Sequence, residues 1–366
     1  MTTAIIAILI FALLVSVHEF GHFITAKLSG MYVEEFSIGM GPQLISKRIG
    51  ETRYTLRALP LGGFVRVLGE DIAEEERSGV EAVHVPEERR YQNRPVWQRM
   101  IFAAAGSFMN MVSAIVIFAI MFLVLGVAVP IEHPDTTISA LVENGPAYSA
   151  GVEPGDKFVA IDGRPVETWE EMNSIIMAAS TEDILNVTVE RQNEEDGIER
   201  FDVQIQPMMS EDGSRVLLGI YGQTAERQAV GPIRAMGLGF ITTWETTVMM
   251  VDVLGDLFTG QINIMDDEEG LTGPVGIVQI IDESAKAGWV YVFNLAALLS
   301  INLGVINLLP IPALDGCKLI FLLYEALRGK PVAPEKEGML NMIGFMLLMG
   351  LILVVTYKDI MRLLMP

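Results

Sequence analysis

The chain has 366 residues, 51% of them hydrophobic, with a formal charge of −21 and a single cysteine, Cys317. That hydrophobic fraction is high for a soluble domain and points to membrane spans alternating with polar domains. The acidic balance argues against a nucleic-acid partner, and one cysteine excludes an intramolecular disulfide.

The apolar residues gather near 4–26, 100–129, 291–309 and 339–357, each block long enough to cross about 30 Å of hydrocarbon. The fold class this predicts is an α-helical polytopic membrane protein with four transmembrane helices. The first block lacks a basic leading region and is too long for a signal-peptide core, so 1–30 reads as a retained span. A segment at 31–98 follows. Within it, 51–68 reads as strand, turn and strand, with Pro60 and Gly62-Gly63 in the turn, a β-hairpin apolar enough to dip toward the membrane. Residues 70–90 form an acidic linker, and 99–130 is the second span.

A small β-rich domain is expected at 134–208. Strands fall at 137–142, 157–161, 185–190 and 201–206, and an amphipathic helix at 168–179. A linker at 209–288 contains the stretch 233–258, long enough to span but interrupted by Arg234, Glu245, Asp252 and Asp256. Charges inside a bilayer are costly, so the expectation there is an amphipathic helix lying along the membrane surface. The third and fourth spans occupy 289–317 and 338–362. Lys and Arg crowd 27–99 and are missing from 1–26, which by the positive-inside rule places the N-terminus and the 134–208 domain outside a cell (plasma) membrane.

One motif carries chemistry. His18-Glu19-Phe20-Gly21-His22 is H-E-x-x-H on a helix, a spacing that sets two imidazoles one turn apart on one face, where both can reach a tetrahedral Zn²⁺. Glu19 is placed to take a proton from a metal-activated water and pass it to the leaving amine. A third ligand is still needed. His84 sits in the acidic linker and His133 outside, whereas Asp315, after the broken end of the third span, reaches the same side as His18 and His22. Pro310 and Pro312 break the helix there, and Asn307 offers an amide to a substrate main chain or a developing oxyanion.

These motifs resemble the site-2 protease family of intramembrane zinc metalloproteases, of the bacterial RseP/RasP type. HEFGHF at 18–23 is similar to its metal motif and NLLPIPALDG at 307–316 to its N-x-x-P-x-x-x-x-D-G motif; FSIGMGP at 36–42, LPLGGFV at 59–65 and TGPVGI at 272–277 also match. In AAAGSFMN at 103–110, Ser107 stands where the family usually has proline, and Met40 stands where an aromatic is common. The resemblance implies His18, His22 and Asp315 as zinc ligands and Glu19 as the base. It also implies substrate contacts at Asn307 and Pro310 and at Gly62 and Gly63 of the membrane-reentrant β element.

The 144–166 segment, NGPAYSAGVEPGDKFVAIDGRPV, resembles a PDZ domain, which would bind peptide termini or act as a size filter. The family's substrates are single-pass membrane proteins, such as anti-sigma factors trimmed outside the bilayer and remnant signal peptides. Two rival classes stand beside this reading: a catalytically silent PDZ scaffold in the membrane, and a metal transporter. The intact His18, Glu19, His22 and Asp315 count against the first. The second and fourth spans, without ionisable groups in their cores, count against the other.

Overall fold

The computed structural model describes residues 2–70, 85–131, 134–193, 197–210, 215–222, 225–261 and 272–364. Most of the acidic linker expected at 70–90, with His84, and also His133, lies outside them. The chain divides into two compact units, one formed by Met1–Val124 with Gly231–Pro366 and the other by Leu125–Val230.

In the first unit, helix α1 (Thr2–Leu28) is apolar through most of its length, carries His18, Glu19 and His22 in its second half, and ends where Gly30 turns the chain with φ +70°. Strands β1 (Val33–Ile49) and β2 (Thr52–Val67) follow and pair antiparallel. The sequence reading of strand, turn and strand at 51–68 left out β1, which the register sets between the two arms. Residues 52–67 are a continuous extended run that bends back on itself, so that Glu35, Phe36, Ser37 and Ile38 of β1 each have two partners in it, one within 53–56 and one within 63–66. The first strand escaped notice because its inward positions are not all apolar. Val33, Glu35 and Ser37 are all fully buried, so a charge and a hydroxyl interrupt the hydrophobic alternation.

A buried carboxylate must be paired. Glu35 receives Arg57 at 2.7 Å, Thr55 at 2.8 Å and Arg53 at 3.0 Å, all from β2. Burial pushes its carboxyl up, but the hydrogen bonds from Arg57 and Thr55, with Arg53 nearby, outweigh it and hold the group below the usual carboxylate range. The hairpin turn is tied down separately. Glu51 accepts from Lys27 Nζ at 2.7 Å, at the end of α1, and from both terminal nitrogens of Arg89 at 2.8 Å.

Helix α2 (Val96–Leu125) lies against α1 at a close crossing, where a Cβ on Gly21 would collide with the Ala105 carbonyl. Small residues let two membrane helices approach this way.

The second unit holds β3 (Val127–Pro130), β4 (Ile138–Leu141), α3 (Pro146–Ser149), β5 (Lys157–Ile161), β6 (Arg164–Pro165), α4 (Trp169–Ala178), β7 (Leu185–Asn193) and β8 (Gly197–Ile205). The short strands β9 (Met208–Met209), β10 (Val216–Leu217), β11 (Ile220–Gly222) and β12 (Ala225–Gln228) complete it. Its four-stranded sheet runs β6-β5-β7-β8. Helix α4 starts with a capping box between Thr168 and Glu171 and buries Met172 and Ile176 against Phe158, Ile161, Val187 and Val189. The unit extends beyond the expected 134–208, because β3 pairs with β12 and β4 with β11.

Back in the first unit come α5 (Pro232–Thr259), α6 (Pro274–Ala287), α7 (Trp289–Leu308), α8 (Asp315–Arg328) and α9 (Pro334–Leu364). Four helices among the described residues are long and apolar enough to cross a membrane: Thr3–Leu28, Val96–Leu125, Trp289–Leu308 and Pro334–Arg362. Helix α5 packs on α2 and α7. Thr247 meets Met111 at 3.7 Å, and Met250 and Leu254 pack with Ala114, Phe118 and Ile301 of α2 and α7. Along it Glu245 and Asp252 are exposed, while Ala235 and Thr243 are buried. Two polar clamps hold the rest. Arg99 of α2 grips Glu325 of α8 at 2.6 and 2.9 Å, and Asp359 of α9 accepts the Gly276 N–H at the start of α6 at 2.8 Å.

Glu51 makes the hairpin anchor testable. The hydrogen bonds from Arg89, outweighing its burial and helped by Lys27, pull its pKa from 4.5 down to about 2. A depressed folded-state pKa stabilises fully above pH 4.5 and loses that contribution as pH falls toward about 2. Thermal unfolding in detergent should therefore show a steeper acid-side fall for wild type than for Glu51→Gln. Identical slopes would remove Glu51 from the anchor.

Candidate metal centre

His18 and His22 lie one turn apart on the same face of α1, both buried, with ring centroids 4.9 Å apart. Asp315 is the first residue of α8. Its Oδ2 stands 3.1 Å from His18 Nε2 and 3.3 Å from His22 Nε2, and the two Nε2 atoms are 3.2 Å from each other. The three atoms form a nearly equilateral triangle.

The chain break that delivers Asp315 is built into the sequence. Helix α7 stops at Leu308, and Pro310 and Pro312 deny the loop the N–H groups a helix would need. Ala313 is held at φ +76°, a conformation that costs a residue with a Cβ about 1–2 kcal/mol. Its N–H donates to Asn341 Oδ1 at 3.2 Å, tying the loop to α9. Gly316 then lets α8 begin against the Leu308 and Leu309 carbonyls, where a Cβ would collide.

The triangle fits a tetrahedral metal ion. Nitrogen and oxygen ligands about 2.0–2.1 Å from zinc lie roughly 3.3–3.4 Å apart, close to the spacing found here. Two neutral imidazole nitrogens this near each other, both facing a carboxylate oxygen, call for a cation between them. The wall opposite is left bare: a Cβ on Gly106 of α2 would collide with Nε2 of both histidines.

The other ring nitrogens are also engaged. His22 Nδ1 lies 2.8 Å from the Phe102 carbonyl and His18 Nδ1 lies 3.2 Å from the Asn110 amide. Glu19, between the histidines, packs on β2, and a Cβ on Gly63 would stand 3.1 Å from Glu19 Cγ and 2.8 Å from the Ser37 carbonyl. One turn along α8, Lys318 donates to Glu70 at 2.7 Å, and the Glu70 carboxylate holds its ammonium well above the usual range.

Of the residues singled out in the sequence, His18, His22 and Asp315 meet at one point, with Glu19 and Gly63 beside it. Gly62 instead faces the Met40 side chain at φ +92°. Asn307 is half-buried, its side chain makes no hydrogen bond among the described residues, and Pro310 is exposed. Sequence reasoning assigned no role to Gly106, Phe102 or Asn110. The signal for Gly106 and Asn110 was the 103–110 stretch, in which they are four residues apart and share a helix face.

Comparison with known proteins adds a family. The profile of "Peptidase family M50" matches residues 6–351. The chain is 34% identical to the "Regulator of sigma-W protease RasP" of Bacillus subtilis, covering 99% of each chain. It is 34% identical to the "Zinc metalloprotease RasP" of Oceanobacillus iheyensis, over 99% of this chain and 100% of that one. It is also 35% identical to a putative zinc metalloprotease of Clostridium perfringens, over 97% and 98%. Among solved structures, the PDZ domain of an SdrC-like protein from Listeria monocytogenes matches 26% of this chain and 93% of its own, at 19% identity and a TM-score of 0.20. That likeness is too weak to argue from.

If these atoms hold the metal, Asp315→Asn should lower zinc affinity on the order of 100-fold while circular dichroism stays unchanged. Gly106→Ala should also lower it, by crowding both nitrogens. Equilibrium dialysis showing one tightly held zinc in both variants would contradict the assignment.

Proposed function

We propose that this chain, which belongs to peptidase family M50 and is a zinc metalloprotease, cuts peptide bonds within the bilayer in single-pass membrane proteins. The observation that carries this reading is the place of the metal cluster. His18 and His22 lie inside a helix long and apolar enough to span a membrane, and Asp315 follows the broken end of another. A soluble peptide has no need of a site so placed; a transmembrane segment does.

In this reading His18, His22 and Asp315 hold the metal. When bound, zinc polarises the scissile carbonyl and makes a water acidic near neutral pH. Glu19 would take a proton from the attacking water and return it to the leaving amine. Its position against β2 supports the role, because a substrate strand lying along β2 at Gly62 and Gly63 would pass beside it. A helix must unwind before a protease reaches its amides, and pairing with a strand edge replaces the hydrogen bonds it gives up. Asn307, with a free amide, and Pro310 would contact the unwound main chain or the oxyanion.

The distribution of Lys and Arg supports a topology with the N-terminus and the Leu125–Val230 unit outside the cell and the metal near the cytoplasmic face. That outer unit, read as a PDZ domain, would receive peptide termini or exclude substrates that keep a bulky ectodomain. Anti-sigma factors trimmed outside and remnant signal peptides fit such a filter. The name of the Bacillus subtilis relative, a regulator of sigma-W, supports the first class.

Purified protein in detergent, given a tagged single-span substrate without its ectodomain, tests the reading. Wild type should cleave, whereas wild type with a zinc chelator should not, and Glu19→Gln should be slower by about 10²–10⁴-fold. Equal cleavage in all three would place the chemistry elsewhere. No cleavage of any of several substrates would favour a membrane scaffold.

A further inference from the structure

Asn110 is fully buried on α2, and its Nδ2 stands 3.2 Å from His18 Nδ1, while its Oδ1 has no hydrogen-bond partner. That orientation conflicts with the metal reading. An imidazole that offers Nε2 to a cation carries its proton on Nδ1. The ring N–H and the amide NH₂ would then face one another, two donors with nothing to accept. Rotating the amide by half a turn exchanges its oxygen and nitrogen at almost no change in shape.

We propose that Asn110 is a positioning residue: in the zinc-loaded enzyme its Oδ1 accepts the Nδ1–H of His18, fixing the tautomer and the ring plane that aim Nε2 at the metal. His22 shows the same device with a different acceptor. Its Nδ1 lies 2.8 Å from the Phe102 carbonyl, which can only accept, so the proton sits on Nδ1 and the Nε2 lone pair turns inward. Phe102 and Asn110 are both on α2, so one helix supplies the outer partner for both rings. Asn110 is itself held in place, since its backbone carbonyl accepts from Ser300 Oγ of α7 at 2.8 Å and from Ser113 Oγ at 3.0 Å. The inference rests on His18 and His22 being ligands. It goes further in naming what makes His18 a ligand and not merely a buried imidazole.

Two substitutions separate accepting from filling space. Asn110→Leu keeps the volume and removes the acceptor, whereas Asn110→Asp, when ionised, can only accept. Zinc affinity is read by competition with a chromophoric chelator, and the ligand field by the visible spectrum of the Co²⁺-loaded protein. Apo-protein unfolding temperature checks the fold. The expected result is a loss of about 10–100-fold in zinc affinity and an altered Co²⁺ spectrum for Asn110→Leu, with Asn110→Asp close to wild type. Wild-type affinity and spectrum in Asn110→Leu would reduce Asn110 to packing. Loss in Asn110→Asp equal to that in Asn110→Leu, at an unchanged apo unfolding temperature, would also overturn the proposal, because the amide would then be donating. If Asn110→Asp unfolds early, Asn110→Leu alone decides. Failure of wild type to bind zinc at all would instead remove the ligand reading on which the proposal rests.

Discussion

Ionisable groups are expensive inside an apolar helix, and α1 carries three of them within five residues, His18, Glu19 and His22. Much of the first unit can be understood as the compensation they require. The Asp315 carboxylate is brought to the two imidazoles, the wall at Gly106 is kept free of a side chain, and the outer ring nitrogens meet a carbonyl and an amide from α2. A cation at the centre completes the set, and zinc is the one a peptidase of this family uses. Remove the cation and the same atoms become two imidazoles crowding one carboxylate.

The surrounding framework answers to the same demand. The loop 309–314 ends one helix and starts another so that Asp315 sits at a helix N-terminus, at the cost of a left-handed Ala313. Arg99 with Glu325 and Lys318 with Glu70 then tie α8 to α2 and to the end of β2. These pairs fix the helix that carries the third proposed ligand without touching the metal cluster. Strand β2 is held to β1 by its own Arg53 and Arg57, which pair with buried Glu35. A rigid strand beside Glu19 is what strand-wise capture of an unwound substrate needs.

The sequence made the spans and the H-E-x-x-H cluster legible because both rest on local regularities: long apolar runs, and imidazoles four residues apart on a helix. What it hid depends on approach between distant segments. Strand β1 was hidden because Glu35 and Ser37 point inward, and their burial makes sense only once Arg53, Arg57 and Thr55 are seen opposite. Gly106 and Asn110 read as an ordinary stretch of a membrane helix until α1 is laid against it. The charges of the 233–258 stretch were legible, but its packing on Met111, Ala114 and Ile301 was not, because those partners lie far away in the chain.

X-ray absorption at the zinc edge of the purified protein tests the central claim most directly. The account predicts one zinc per chain with only nitrogen and oxygen neighbours at about 2.0–2.1 Å, including the scattering pattern of two imidazoles. A sulfur neighbour at about 2.3 Å would contradict it, pointing to buried Cys317, two residues beyond Asp315. A first shell containing a single imidazole would contradict it as well.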